Sequence, residues 1–345
     1  MLDGEAGLLS PSEVAQAGET LSALRAGLDT TLFGQEQLTR LVLTGALARG
    51  HVLLDGLPGL GKTELVKALA SLLGLSFSRV QFTADLLPSD ITGGHVLDEA
   101  DGPEGRRRVF VFHPGPIFAN IVLADEINRA SPKTQSALLE AMAERRVTVL
   151  GETRPLPDPF WVLATQNPVE LEGTWPLPEA QLDRFLFKLD VRRVGVDVLE
   201  RILTERRRGQ PPAQTAALDL AGLTRLFGWV DRVHLPRAVA RLIGRLVEAT
   251  HPDSPLAPPL VRGSVRWGAS PRAAIAISEA ARAWALIHGK PHVGFDDARA
   301  VAPHALAHRV VLDYRGRLDR LDGHAVCDAV LAATPDLEDE GRRGA

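Results

Sequence analysis

Gly56-Leu57-Pro58-Gly59-Leu60-Gly61-Lys62-Thr63 carries residue types at the spacing needed to hold a polyphosphate. In the pattern G-x-x-x-x-G-K-[ST], glycines let the backbone turn tightly and aim successive N–H groups at phosphate oxygens. Lys62 would reach the β- and γ-phosphates, and the Thr63 hydroxyl would hold Mg²⁺. The run lies between an apolar stretch, His51-Val52-Leu53-Leu54, and a helical pattern with Leu65, Leu69, Leu72 and Leu73 on one face. That strand–loop–helix setting puts a helix N-terminus at the phosphates. A bare glycine-rich turn would lack such flanks. A bound nucleotide is therefore expected, with Gly56, Pro58, Gly59, Gly61, Lys62 and Thr63 as contacts.

Ile121-Val122-Leu123-Ala124-Asp125-Glu126 is an apolar run that ends in two carboxylates. Ligands of open parallel sheets sit at strand ends. Asp125 is expected to hold Mg²⁺, usually through water, and Glu126 to polarise the attacking water. Leu163-Ala164-Thr165-Gln166-Asn167-Pro168 ends a second apolar run in polar residues. If that strand neighbours the Asp125 strand, Asn167 would lie close to the water and the γ-phosphate; otherwise Asn-Pro merely starts a turn. Asp125 lacks the Asp-x-x-Gly continuation of a GTPase switch, and no Asn-Lys-x-Asp guanine reader occurs, so adenine is the favoured base.

The elements that must position these residues follow from periodicity. Ser10 as N-cap and Pro11 at the first helical position open a helix to about Leu28. Between about Thr31 and Val194, short apolar runs alternate with helical stretches, the signature of a parallel α/β sheet. Strands are predicted at 51–55, 77–82, 121–125, 160–165 and 186–190, with helices near 35–49, 62–73, 132–144 and 179–184. Residues 93–112 read as an inserted hairpin around Asp101–Gly105. A second hairpin is predicted over 146–164, pairing Val147–Leu150 with Phe160–Leu163. Beyond Val194 strand patterns fade, and helices are predicted near 219–232, 236–250, 271–288 and 295–307. The expected division is a leader and helix (1–30), an α/β core (31–195), a linker (196–216), a small all-α domain (217–335) and a tail (336–345).

With 345 residues and 45% hydrophobic content, the chain can bury a sizeable core. A net charge of −4 argues against a general nucleic-acid surface. The single cysteine, Cys327, excludes an intramolecular disulfide and fits a reducing compartment. No run approaches the length of a membrane span, and the N-terminus lacks the layout of a signal peptide, so a cytoplasmic protein is expected.

Longer phrases carry a family resemblance. Asp125-Glu126-Ile127-Asn128-Arg129-Ala130, then Pro132 through Met142, Phe82 through Gly93, Ala164 through Pro168, and Pro178 through Phe185 together resemble the MoxR family of AAA+ ATPases from about Thr31 to Arg320. The resemblance implies an AAA+ P-loop core with inserted hairpins followed by a helical lid. It further implies a homo-oligomeric ring, commonly a hexamer, with ATP and Mg²⁺ at subunit boundaries. Arg184 then looks like an arginine finger reaching a neighbour's γ-phosphate; a local pair with Asp183 or Glu179 is the rival reading. Gly268-Ala269-Ser270-Pro271-Arg272 resembles the family's second sensor, with Arg272 in the first turn of a helix where a cation opposes the dipole; a solvent-facing arginine is the rival. Gly34-Gln35 resembles the segment that covers adenine.

The family's chaperone-like remodelling, often alongside proteins with a von Willebrand factor A domain, is carried by resemblance alone. Alternatives are the ATPase subunit of a metal chelatase and a slow nucleotide-dependent scaffold. A nucleic-acid motor is a fourth reading, prompted by Arg106-Arg107-Arg108, but such short runs are usually solvated faces. No aromatic–aliphatic–glycine triplet, the usual grip of a threading unfoldase, occurs between the phosphate loop and Asp125.

Overall fold

The computed structural model describes residues 7–102, 105–168, 173–206 and 209–336. Helix α1 (Pro11–Thr31) starts with a capping box: Ser10 Oγ accepts from the Glu13 N–H at 3.3 Å, and the Glu13 carboxylate accepts from the Ser10 N–H at 2.8 Å. Leu21, Leu24 and Leu28 recur at helical spacing and are fully buried against neighbouring helices. Next come α2 (Glu36–Leu47), β1 (Val52–Asp55), α3 (Lys62–Leu72), β2 (Phe77–Gln81) and α4 (Pro88–Thr92). A hairpin of β3 (Gly93–Gly102) and β4 (Gly105–Pro114) precedes β5 (Ile121–Asp125) and α5 (Pro132–Glu144). Then follow β6 (Arg146–Val149), β7 (Glu152–Pro155), β8 (Trp161–Gln166), α6 (Glu179–Leu182) and β9 (Phe187–Asp190).

The central sheet is parallel, in the order β2-β5-β8-β1-β9. Its three inner strands, β5, β8 and β1, read as continuous apolar runs because both faces are covered. The period of two divides them cleanly. Leu54, Ile121, Leu123, Trp161 and Leu163 enter the core shared with α1, α2 and α3, whereas Leu53, Val122, Ala124, Val162 and Ala164 enter the core against α5.

The second predicted hairpin is corrected. Val147 to Val149 pair with Glu152 to Arg154, not with Phe160–Leu163, and Trp161–Gln166 is a central strand. Leu150 and Gly151, both at positive φ, make a two-residue turn whose twist suits a tight hairpin. Trp161 to Ala164, apolar at every position, suit burial on both faces. The first hairpin forms as expected; Pro103 and Glu104 of its turn, and the side chains of Arg106 and Arg107, lie outside the described set.

The C-terminal part comprises α7 (Val196–Glu205), α8 (Leu220–Arg232), α9 (Arg237–Glu248), α10 (Pro259–Ser264), β10 (Val265–Trp267), α11 (Pro271–Ile287), α12 (Phe295–Leu306), β11 (Val311–Leu312), α13 (Tyr314–Leu318) and α14 (Gly323–Ala333). The four helices expected there are α8, α9, α11 and α12. Not anticipated there were α7, inside the stretch read as linker, the helices α10, α13 and α14, and the antiparallel β10–β11 pair. Among the described residues no helix is long and apolar enough to cross a membrane.

His51, at the entry to β1, ties that end of the strand to β8 and α5. Its Nδ1 accepts from the Val162 N–H at 2.9 Å, and its Nε2 donates to the Met142 carbonyl at 3.2 Å. Burial lowers its pKa to about 4; His308, also buried, falls to about 3. Both are neutral when folded and gain a proton on unfolding below pH 6.5, so stability is lost as pH falls from 6.5 to about 4 for His51 and to about 3 for His308. His51 alone is expected to contribute a loss on the order of 3 kcal/mol. Urea midpoints at pH 7.5 and 4.5 measure the effect; equal midpoints would refute it.

Candidate functional site

β1 delivers the chain to the phosphate-type loop at the carboxyl end of the sheet. Gly56 donates its N–H to the Gln166 carbonyl at 3.3 Å, and a Cβ there would stand 2.8 Å from the Val191 carbonyl oxygen. Gly59 and Gly61 both hold φ of 80°, a left-handed conformation in which L side chains are strained. Gly61 precedes α3, so the first N–H groups of that helix face the loop. Lys62 is buried; its Nζ donates to the Gly56 carbonyl at 2.5 Å and the Gln166 carbonyl at 3.4 Å. Desolvation lowers its pKa, while the charges of Asp125, Asp55 and Glu126 oppose that shift. Thr63 follows, half-buried.

Because β8 lies between β1 and β5, Asn167 falls beside both the loop and the two carboxylates. That meets the condition on which its reading depends. Asn167 is 5% exposed, and its carbonyl accepts from Asn128 Nδ2 at 3.5 Å. Thr165 joins the acidic pair: its hydroxyl donates to Asp125 Oδ1 at 2.6 Å and accepts from the Glu126 N–H at 2.8 Å. Arg79 donates to Asp125 Oδ2 at 2.6 Å. Glu126 sits at φ 55° and ψ 50°, a left-handed conformation costing on the order of 1–3 kcal/mol in a non-glycine residue. Its Oε2 accepts from Gln81 Nε2 at 2.9 Å and Arg129 Nη1 at 3.0 Å.

Sequence reasoning missed Arg79, Gln81 and Thr165 as neighbours of the acidic pair. For Arg79 and Gln81 no linear pattern exists; the register of β2 on β5, with Gln81 opposite Asp125, supplies them. Thr165 lay in view within the Ala164-Thr165-Gln166 phrase. Thr165→Val removes the hydroxyl at nearly constant shape, and the unpaired Glu126 N–H should cost about 1–3 kcal/mol. Thermal unfolding checks that figure, and ATP turnover should fall with it; a variant of unchanged stability would refute the bridge.

Arg184 and Arg272 lie elsewhere. Arg184 is exposed and donates to the Leu139 carbonyl on α5. The rival local pair with Asp183 does not form: Asp183 accepts from Arg309 Nε at 2.8 Å, Arg272 Nη1 at 3.3 Å and Ser270 Oγ at 3.2 Å. These partners hold its pKa down against the opposing effect of burial. Ser270 precedes α11 as expected but makes no side-chain cap, its hydroxyl being given to Asp183. Phe187 opens β9 opposite Val52, and Asp190 closes it opposite Asp55. Residues 183–186 therefore approach the amino end of the sheet, while Gly56 to Thr63 leave its carboxyl end. At ~3.3 Å per residue a four-residue strand separates them by more than about 10 Å.

Gly34, at φ 71°, packs so closely on α7 that a Cβ would stand 2.6 Å from Val198 Cγ2. With Gln35, Asp190, Arg192, His304 and His324 it lines a cavity of about 660 Å³. That volume lies within the range typical of small-molecule sites, roughly 300–1,000 Å³. The cavity borders the end of β9, and thus the same end of the sheet as the loop.

The Thr63 hydroxyl and the Asp125 carboxylate are hard oxygen donors that suit Mg²⁺, which commonly takes one or two protein donors together with substrate phosphates. Among the described residues no group of three or more His, Cys, Asp or Glu side chains could hold a metal unaided.

Residues 51–187 match the model of the ATPase family associated with various cellular activities (AAA), and residues 259–328 match that of the AAA lid domain. The chain is 43% identical to the uncharacterized protein YeaC of Bacillus subtilis, covering 89% of this chain and 91% of that one. It is 42% identical to the chaperone MoxR1 of Mycobacterium tuberculosis (93% and 86%) and 33% identical to protein MoxR of Paracoccus denitrificans (90% and 94%). The crystal structure of a protein from Cytophaga hutchinsonii, inferred to be an ATPase, superposes with a TM-score of 0.85 at 33% identity, covering 94% of this chain and 97% of that one.

Proposed function

This chain belongs to the MoxR family of AAA+ ATPases, and we propose that it hydrolyses ATP with Mg²⁺ in a ring of its own copies to remodel or activate a partner protein. The observation that carries the reading is the division of the catalytic set. Cradle, carboxylates and Asn167 gather at the carboxyl end of the sheet, whereas Arg184 and, through its pair with Asp183, Arg272 lie near its amino end. Two arginines so far from their own loop make chemical sense if they meet the nucleotide of an adjacent copy.

In this mechanism the loop N–H groups and Lys62 bind and orient the phosphates, and the Gly34-Gln35 cavity seats the base. Thr63 and Asp125 would hold Mg²⁺ carried with the nucleotide, which would offset charge on the phosphate oxygens. Glu126 draws a proton from water positioned with Asn167. Arg184 and Arg272 of the adjoining subunit stabilise the charge that grows on the transferred group. The chaperone designation of the Mycobacterium relative supports a protein client. A protein with a von Willebrand factor A domain is the partner that the family resemblance favours.

Light scattering with and without ATP tests the assembly and should report a closed oligomer. A strict monomer at high protein concentration refutes Arg184 acting in trans. A pull-down with Glu126→Gln, which should hold client and nucleotide together, tests the remodelling.

A further inference from the structure

Arg309 is 3% exposed in its side chain, a costly place for a cation unless every donor is satisfied. All five donors of a guanidinium are engaged. Nε binds Asp183 Oδ1 at 2.8 Å; Nη2 binds the Asp183 carbonyl at 3.0 Å and the Phe185 carbonyl at 2.6 Å; Nη1 binds the Leu186 carbonyl at 3.2 Å and the Ala305 carbonyl. Next to it, His308 Nε2 donates to the same Phe185 carbonyl at 3.0 Å. Four of these six bonds therefore end on backbone of the short segment that carries Arg184, and a fifth on the Asp183 carboxylate. The turn bearing His308 and Arg309 follows α12 of the helical region. It is backed by α14, where a Cβ on Gly323 would stand 1.9 Å from the Ala307 carbonyl oxygen.

We infer that Arg309 is the positioning residue for the Arg184 finger. It fixes the Asp183–Leu186 backbone and takes up the Asp183 carboxylate that Arg184 would otherwise pair with. Occupied by Arg309, Arg272 and Ser270, that carboxylate leaves Arg184 exposed, its one described side-chain bond being to the Leu139 carbonyl. Because the clamp comes from the helical region, a movement of that region carries the finger with it. The inference rests on the reading of Arg184 as a finger in trans.

The test compares full-length Arg309→Lys with Arg184→Ala and mixes each with Lys62→Ala. Lysine keeps the charge but loses the planar fork. ATP turnover of Arg309→Lys should fall about 10²-fold, the scale of an ångström-sized misplacement, with affinity for the fluorescent analogue mant-ATP unchanged. Mixing with Lys62→Ala should restore turnover, since one subunit lends an intact cradle and the other an intact finger; a misfolded subunit could lend neither. Rescue of Arg184→Ala without rescue of Arg309→Lys overturns the inference. Rescue of neither places the failure in the trans reading of Arg184, and the inference falls with it. Asp183→Asn, isosteric and uncharged, should reproduce the loss and the rescue. Loss of mant-ATP binding in both clamp variants makes Arg309 a structural residue only and equally overturns the inference.

Discussion

Arg184→Ala is expected to lower ATP turnover by about 10³–10⁵, the range for removal of an arginine that meets transition-state charge from outside the site. The loss should appear in kcat, with mant-ATP binding and the thermal midpoint nearly unchanged. Two features of the residue account for that separation. Its guanidinium is exposed and its one described side-chain bond is to the Leu139 carbonyl, so truncation leaves no buried charge unpaired. Its place beyond the amino end of β9 keeps it away from the phosphate loop of its own subunit, so binding there does not depend on it. A full-speed variant would remove the finger role altogether.

Glu126→Gln should bind nucleotide as the unaltered chain does and turn it over about 10²–10⁴ times more slowly, the usual worth of a positioned general base. The amide is isosteric but cannot take a proton. Its carbonyl can still accept from Gln81 and Arg129, so the strained left-handed backbone at this position should persist. Single-turnover measurements with excess protein distinguish a stalled chemical step from slow release. Rapid cleavage in the single turnover would show that another group accepts the proton.

Much of this site was legible in the linear chain because it is local. The phosphate loop needs glycines at fixed offsets, and the left-handed backbone at Gly59 and Gly61 is the physical requirement those offsets encode. The two carboxylates announce themselves as the first polar residues after a strand buried on both faces. Long-range partners were illegible for the opposite reason. Arg79 and Gln81 reach the acidic pair only through strand register, and Arg309 reaches Asp183 across 126 residues of chain. The misread hairpin shows the same limit: Val147–Leu150 can pair with any nearby extended run, and the Leu150-Gly151 turn selected the adjoining one. The linker range hid α7, whose Val196, Leu199 and Leu203 recur at helical spacing yet remain exposed.

By itself the sequence determined the chemistry on offer: a polyphosphate cradle, a carboxylate pair, a buried asparagine at a strand end and two arginines in family phrases. Residue type and short spacing suffice for these because each depends on a single turn, strand end or helix start. Only the tertiary structure decided how the set is divided. Parallel strands carry every loop after a strand to one end of the sheet and every approach segment to the other. Arg184 and, through its ion pair with Asp183, Arg272 therefore lie across the sheet from Lys62, Asp125 and Glu126.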